Sequence, residues 1–292
     1  MKTLSLSLLQ VFSWCSAPAQ AARDERVIAV LTRAESVYME AFSAFQAAYG
    51  SEIRYYDLSE GAPSLPKEAR TIVTFGGKAA SFRYPEGTKV IYAMAPGLQL
   101  SRTRYPGAVK ISMLPPVDRV LKRLRSIQPG MRTLAIFWTA DRYAPLVEEA
   151  GLRGREYGVS VYAVRIKAPG DLPAAIRAEN GRMDAIWLPP DPLLLTPSTL
   201  RIFTSFAWGN AVPLYGSTRG MTREGAAASV GVTVKAVGTA AAEAARRIEA
   251  GETLPDTIYP ETEDLTLNAS SARRCGLGFS RELVERAEYL FP

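Results

Sequence analysis

The sequence predicts an α/β protein made of two similar lobes, each a mainly parallel sheet covered by helices. Three observations predict it. Short apolar runs of strand length alternate with helical patterns along most of the chain. The second half repeats the rhythm of the first, with VIAVLTRAESVYMEAFSAFQAAYGSEIRYY matched by TLAIFWTADRYAPLVEEAGLRGREYGVSVYAV. Each stretch has an apolar strand, a polar loop, a helix ending near Tyr-Gly and a further strand. Between the two lies Leu114-Pro115-Pro116, and consecutive prolines make a stiff connection.

The first twenty-odd residues read as an export signal. Lys2 supplies the positive charge, 4–14 are mostly apolar but too few to span a bilayer, and Ala19-Gln20-Ala21 is a small-residue cleavage site. The mature chain is expected to start at Ala22, so 1–21 is signal peptide. Trp14 stands before Cys15, where a lipoprotein signal needs a small residue. A soluble periplasmic protein is therefore expected, without a lipid anchor.

The mature elements follow in order. Residues 27–31 read as a strand and 37–49 as a helix, with Val37, Ala41, Phe45 and Ala48 on one face. Strands are expected over 53–56, 72–75 and 90–94. Val117, Val120, Leu121 and Leu124 stand at helical spacing, interleaved with Arg119, Lys122, Arg123 and Arg125 on what reads as a solvated face. The second series has a strand over 134–138, a helix over 144–157, a strand over 159–164 and a helix capped by Asp171. An apolar run over 185–188 is too short for a core helix and reads as a buried strand. Pro189-Pro190-Asp191-Pro192 then forms a stiff loop. Thr196-Pro197 opens the next helix, with threonine as cap and proline at the first helical position. A strand over 212–215, an Ala-rich helix over 235–250 stopped by Gly251, a strand over 265–267 and a last helix after Ser280 complete the chain.

Composition removes several chemistries. The chain of 292 residues has no histidine, which excludes Ser-His and Cys-His catalysis, histidine-ligated zinc and imidazole acid–base chemistry. Cleavage of the signal would leave one cysteine, Cys275, so neither an intramolecular disulfide nor a thiolate metal cluster is expected. No carboxylate pair stands out. No catalytic residue, metal or cofactor is therefore expected. The net charge of +6 is modest and dispersed, which favours solubility over nucleic-acid binding.

Candidate ligand contacts are sought where strands exit into loops, because open α/β sheets bind ligands beyond the carboxyl ends of their strands. After the first strand come Thr32 and Ser36, the latter read as a helix cap. Gly77 and Lys78 follow the third strand. They lack the spacing of a phosphate loop, but exposed backbone N–H groups there suit a carboxylate, with a plain tight turn as the alternative. Trp138, Thr139 and Tyr143 hold the equivalent place in the second series, where the two rings suit stacking on an aromatic or apolar ligand, with core packing as the alternative for Trp138. Asp141 reads as a cap. Asp191 suits a ligand ammonium, or serves only the turn. Ser217 and Thr218 end a further strand, as ligand contacts or as loop and cap. If the lobes face each other, Lys78 and Asp191 are expected to meet across the cleft.

Several of these segments together resemble the ABC-transporter substrate-binding protein family that includes tryptophan-type binding proteins. The carriers are Leu114-Pro115-Pro116-Val117, PPDPLLLTP over 189–197, Val212-Pro213-Leu214-Tyr215-Gly216, the helix with Gly238 and Ala241, and the tail from Leu267 through Gly276-Leu277. Ala93-Met94-Ala95-Pro96-Gly97 departs from the family's usual loop. The resemblance implies two Rossmann-like lobes of type I periplasmic-binding-protein architecture. Lobe 1 would take 22–114 and 232–262, and lobe 2 would take 115–231 and 263–292. It further implies a monomer without catalysis that closes on a small organic ligand, such as an amino acid, and delivers it to an inner-membrane ABC permease. A sensor that presents the closed form to a membrane receptor is the alternative.

Overall fold

The computed structural model describes residues 25–292. The expected signal peptide, with Cys15 and the cleavage site, lies outside them. The first series runs β1 (Val27–Leu31), α1 (Ser36–Tyr49), β2 (Tyr55–Asp57), β3 (Thr71–Phe75), α2 (Gly77–Ser81), β4 (Lys89–Ala93) and β5 (Val109–Ile111). The second runs α3 (Val117–Ile127), β6 (Thr133–Trp138), α4 (Ala144–Glu156), β7 (Ser160–Arg165), α5 (Leu172–Ala178), β8 (Ala185–Trp187), α6 (Pro197–Asn210), β9 (Leu214–Gly216), α7 (Arg219–Arg223) and β10 (Ala228–Gly231). Then come α8 (Val234–Glu249), β11 (Thr257–Ile258), β12 (Asp264–Asn268), α9 (Ala269–Arg274), α10 (Arg281–Glu285) and β13 (Tyr289–Phe291).

These strands form two sheets. One has the order β11-β5-β4-β3-β1-β2 and is parallel throughout. The other has the order β13-β12-β10-β9-β8-β6-β7, in which β12 runs antiparallel to β10 and the remaining pairs are parallel. The composition of each strand explains its place. β1 and β3 are buried at every position, as continuous apolar runs covered on both faces should be. β7 has no fully buried position and lies at an edge. Three segments cross between the sheets: 112–116, 232–233 and 259–263.

Helix α8 returns to the first sheet and packs along α1. Gly238 makes that crossing possible, since a Cβ there would lie 2.2 Å from the Ala41 carbonyl oxygen. The small residues of α8 thus serve a helix–helix contact as well as the sheet. Helix α3 buries Val117, Val120, Leu121, Leu124 and Ile127. Its basic face is largely engaged within the protein. Arg123 Nε donates to Glu263 at 2.6 Å, Arg125 Nε to the Tyr157 carbonyl at 3.3 Å and an Arg119 nitrogen to the Glu261 carbonyl at 3.4 Å.

Local chemistry differs from expectation at three acidic or hydroxyl positions. Helix α1 starts at Ser36 with Glu35 in the cap position, so the cap lies one residue earlier than expected. Asp171 precedes α5 without a side-chain cap bond; its carboxylate accepts the Ala168 N–H of the turn before it, at 3.2 Å. Asp141 caps nothing and pairs with Arg165 at 2.6 Å. Thr196 does cap α6, accepting the Thr199 N–H at 3.2 Å.

Candidate functional site between the sheets

The crossings leave from the carboxyl ends of β5, β10 and β11. The carboxyl edges of both sheets therefore gather at the junction, where loop side chains converge. The two halves touch there. Gly97, in the loop after β4, has φ 69°, and a Cβ on it would lie 2.8 Å from Arg142 Cδ and 2.9 Å from Tyr143 Cζ. Glycine is required on both counts, the left-handed backbone and the close approach.

On the first sheet, Thr32 bridges two strand exits. Its N–H donates to the Phe75 carbonyl at 2.9 Å, and its Oγ1 accepts the Ala79 N–H at 3.0 Å. It packs against Gly76, whose φ of 105° and missing side chain leave room for the hydroxyl. Thr32 thereby anchors the turn into α2. Gly77 is half-buried in that turn, and Lys78 is exposed, with no ion pair among the described residues. Ser36 opens α1.

On the second sheet, Asp191 is 0% exposed. Its Oδ2 accepts both the N–H and the hydroxyl of Thr139, at 2.8 and 2.6 Å, and its Oδ1 accepts the Leu193 N–H at 3.1 Å. Tyr143 donates its hydroxyl to the Pro190 carbonyl at 2.7 Å. Burial, with the Asp191 charge as a second cause, pushes the Tyr143 phenol up, so it stays a neutral donor. Together these bonds clamp the exit of β6 to the exit of β8. Trp138 lies under the Arg165 guanidinium, 5.3 Å from its ring centre. Ser217 is buried against the Met221 sulfur, and Thr218 caps α7 through the Met221 N–H at 3.4 Å.

Two expectations change. Lys78 and Asp191 do not pair: one is exposed and the other is buried with its oxygens committed to neighbours in its own half. Nor does the carboxylate of Asp191 stand open to a ligand ammonium. A buried carboxylate is held by donors, and here Thr139 and Leu193 supply them. Asp191 therefore positions the loop at Thr139, while the Pro190 carbonyl beside it holds Tyr143.

A recess of about 170 Å³ opens between the halves beside the first and third crossings. Among the predicted residues, Tyr143 lines it. Its other polar walls include Gln99, Lys110 and Ser112 from the first half and Arg142 and Glu149 from the second. Lys110 is half-buried, and desolvation lowers its pKa. Neither Lys110 nor Arg142 has an ion pair among the described residues. Ser112 is occupied locally, donating to the Leu114 carbonyl at 2.7 Å. One signal for Lys110 was available in the sequence: it stands between Val109 and Ile111, a charge inside a short apolar run. Its neighbours in the recess assemble only by folding.

Among the described residues, no group of three or more His, Cys, Asp or Glu could hold a metal ion, and no helix is long and apolar enough to cross a membrane. Cys275 is buried, its thiol directed to the Ala207 carbonyl at 3.6 Å, and burial pushes its pKa up to about 11. That is the setting of an unreactive thiol.

Comparison with known proteins places this arrangement. The chain is similar in structure to the ligand-free, open form of a substrate binding protein with adhesive properties from Clostridium difficile. The TM-score is 0.69 and the identity 15%, over 91% of this chain and 99% of that one. It is also similar to an ABC domain in complex with L-Trp from Streptococcus pneumonia, with TM-score 0.66 and 17% identity over 93% and 100% of the two chains. These likenesses establish the type I periplasmic-binding-protein fold. In sequence, it is 22% identical over 152 residues to a tyrosine-binding protein of Clostridioides difficile, covering 50% of this chain and 44% of that one. It is 26% identical over 132 residues to an uncharacterised protein of Rickettsia prowazekii, covering 45% and 43%. The chain thus spans under half the length of these curated relatives. The model of the ABC transporter substrate binding protein family matches residues 111–290, more than half of the chain. The chain belongs to that family.

Proposed function

We propose that this protein captures a small organic solute, of amino-acid size, between its two halves and delivers it to an ABC permease after export to the periplasm. The halves are taken as 22–114 with 232–262 and 115–231 with 263–292. The observation that carries this reading is a recess bounded by both halves, at the strand ends where they meet, whose charged walls make no ion pair among the described residues. Such a place is shaped and polarised for a ligand. Hinge closure about the three crossings would enclose it. Tyr143 would line the bound solute, with Thr32, Ser36, Gly77, Lys78, Trp138, Thr139, Ser217 and Thr218 at the surrounding strand exits and helix starts and Asp191 supporting them. Two named similar proteins bind tyrosine or are complexed with L-Trp, which favours an amino acid. Native mass spectrometry of the protein isolated from the periplasm tests capture. The expected result is a small-molecule adduct released on unfolding. A bare mass, together with no mass shift on adding any of the twenty amino acids, would count against the reading.

A further inference from the structure

The charges of the recess are unevenly shared and uncompensated. Lys110 comes from β5 of the first half, while Arg142 and Glu149 come from the loop after β6 and from α4 of the second. Two cations and one carboxylate therefore line one small space. Lys110 stands in β5 between Val109 and Ile111, both buried. Side chains alternate along β5, so Lys110 lies on the face opposite those two, and at the end of the strand both Lys110 and Ile111 line the recess beside the loop after β4. Burial disfavours its charged form, and no ion pair among the described residues offsets that cost. An ammonium kept partly out of water without a partner gains most from an anion that arrives with the ligand. The Gly76–Lys78 turn offers no such gain: Lys78 is exposed and already solvated.

We propose that the recess beside the crossings recognises the carboxylate of the solute, with Lys110 as its anchor and Arg142 approaching from the opposite half. This rests on the capture reading above and adds the class of ligand and the residue that selects it. Glu149 lines the same wall and is placed to meet an amine on the same solute. The remaining walls, including Met113, Leu114, Pro145 and Leu146, are apolar and suit an uncharged body. Because the two cations belong to different halves, one carboxylate between them also holds the halves together.

The test is titration calorimetry of the mature protein. Its panel contains the twenty L-amino acids, benzoate and pyruvate, with the carboxamide of each, and L-tyrosine and L-tryptophan lead the series. The expected result is binding of at least one acid, with its carboxamide at least tenfold weaker. Lys110→Gln and Lys110→Met should erase that preference by weakening the acid about tenfold or more while leaving the carboxamide unchanged. Lys110→Arg should retain most of it. Circular dichroism identifies a variant that fails to fold, in which case Arg142→Gln reports on the opposite wall, with a smaller loss of the same preference. Equal binding of acid and carboxamide, or an unchanged acid preference in a folded Lys110→Gln protein, overturns the proposal and leaves capture standing. Absence of binding by every compound overturns both.

Discussion

Asp191 holds two donors of Thr139 and one of Leu193 without exposure to solvent. Removing a buried acceptor strands its donors, at about 1–3 kcal/mol for each unsatisfied group. Asp191→Ala is therefore expected to lower unfolding free energy by roughly that amount, read from urea denaturation followed by circular dichroism. Unchanged stability would return Asp191 to an ordinary turn residue. Cys275 gives a second prediction. Its folded pKa is about 11 against an ordinary 9.0, so the folded state keeps the proton longer than the unfolded chain. The resulting stability is full below pH 9 and lost as pH rises towards 11. Between pH 8 and 10.5 the wild type should lose more stability than Cys275→Ala, measured as the shift in urea midpoint. At this scale the sequence located strand-exit residues but not their partners. Thr139 and Asp191 are 52 positions apart, and only the pairing of β6 beside β8 makes one the acceptor of the other. The significance of Lys110 lies in what surrounds it, which only the fold assembles.

Gly238 sets the approach of α8 to α1, with the Ala41 carbonyl 2.2 Å from where a Cβ would stand. The obstacle is backbone and cannot rotate away. Gly238→Ala should therefore force the helices apart and destabilise the protein by about 1–3 kcal/mol, despite alanine's better helix propensity. A raised melting temperature would contradict this account of the crossing. Elements with a clear pattern were legible in the sequence: β1, a continuous apolar run, and the helices α6 and most of α8 lie where apolar pattern and capping residues put them. Short ones were legible where an apolar run or a cap marked them, as at β8, β9 and α10, and not elsewhere. β5, β10 and β11 have two to four residues each, fewer than a periodic pattern needs, and they exist because neighbouring strands offer them hydrogen bonds. Helix α2 is five residues long and depends on the Thr32 hydroxyl, which comes from another loop.

At the scale of the whole molecule, the α/β alternation and the repeated rhythm announced two parallel sheets, since such alternation leaves few other arrangements. What they could not announce was the place of the recess. It is made where the loop after β4, the crossings and the start of α4 come together, and these are far apart in the chain. The central claim is that the solute is held between the halves and draws them together. Small-angle X-ray scattering of the mature protein, titrated with whichever amino acid binds it, tests this most directly. The account predicts a saturable fall in the radius of gyration that tracks occupancy. A scattering curve unchanged at full occupancy would contradict it.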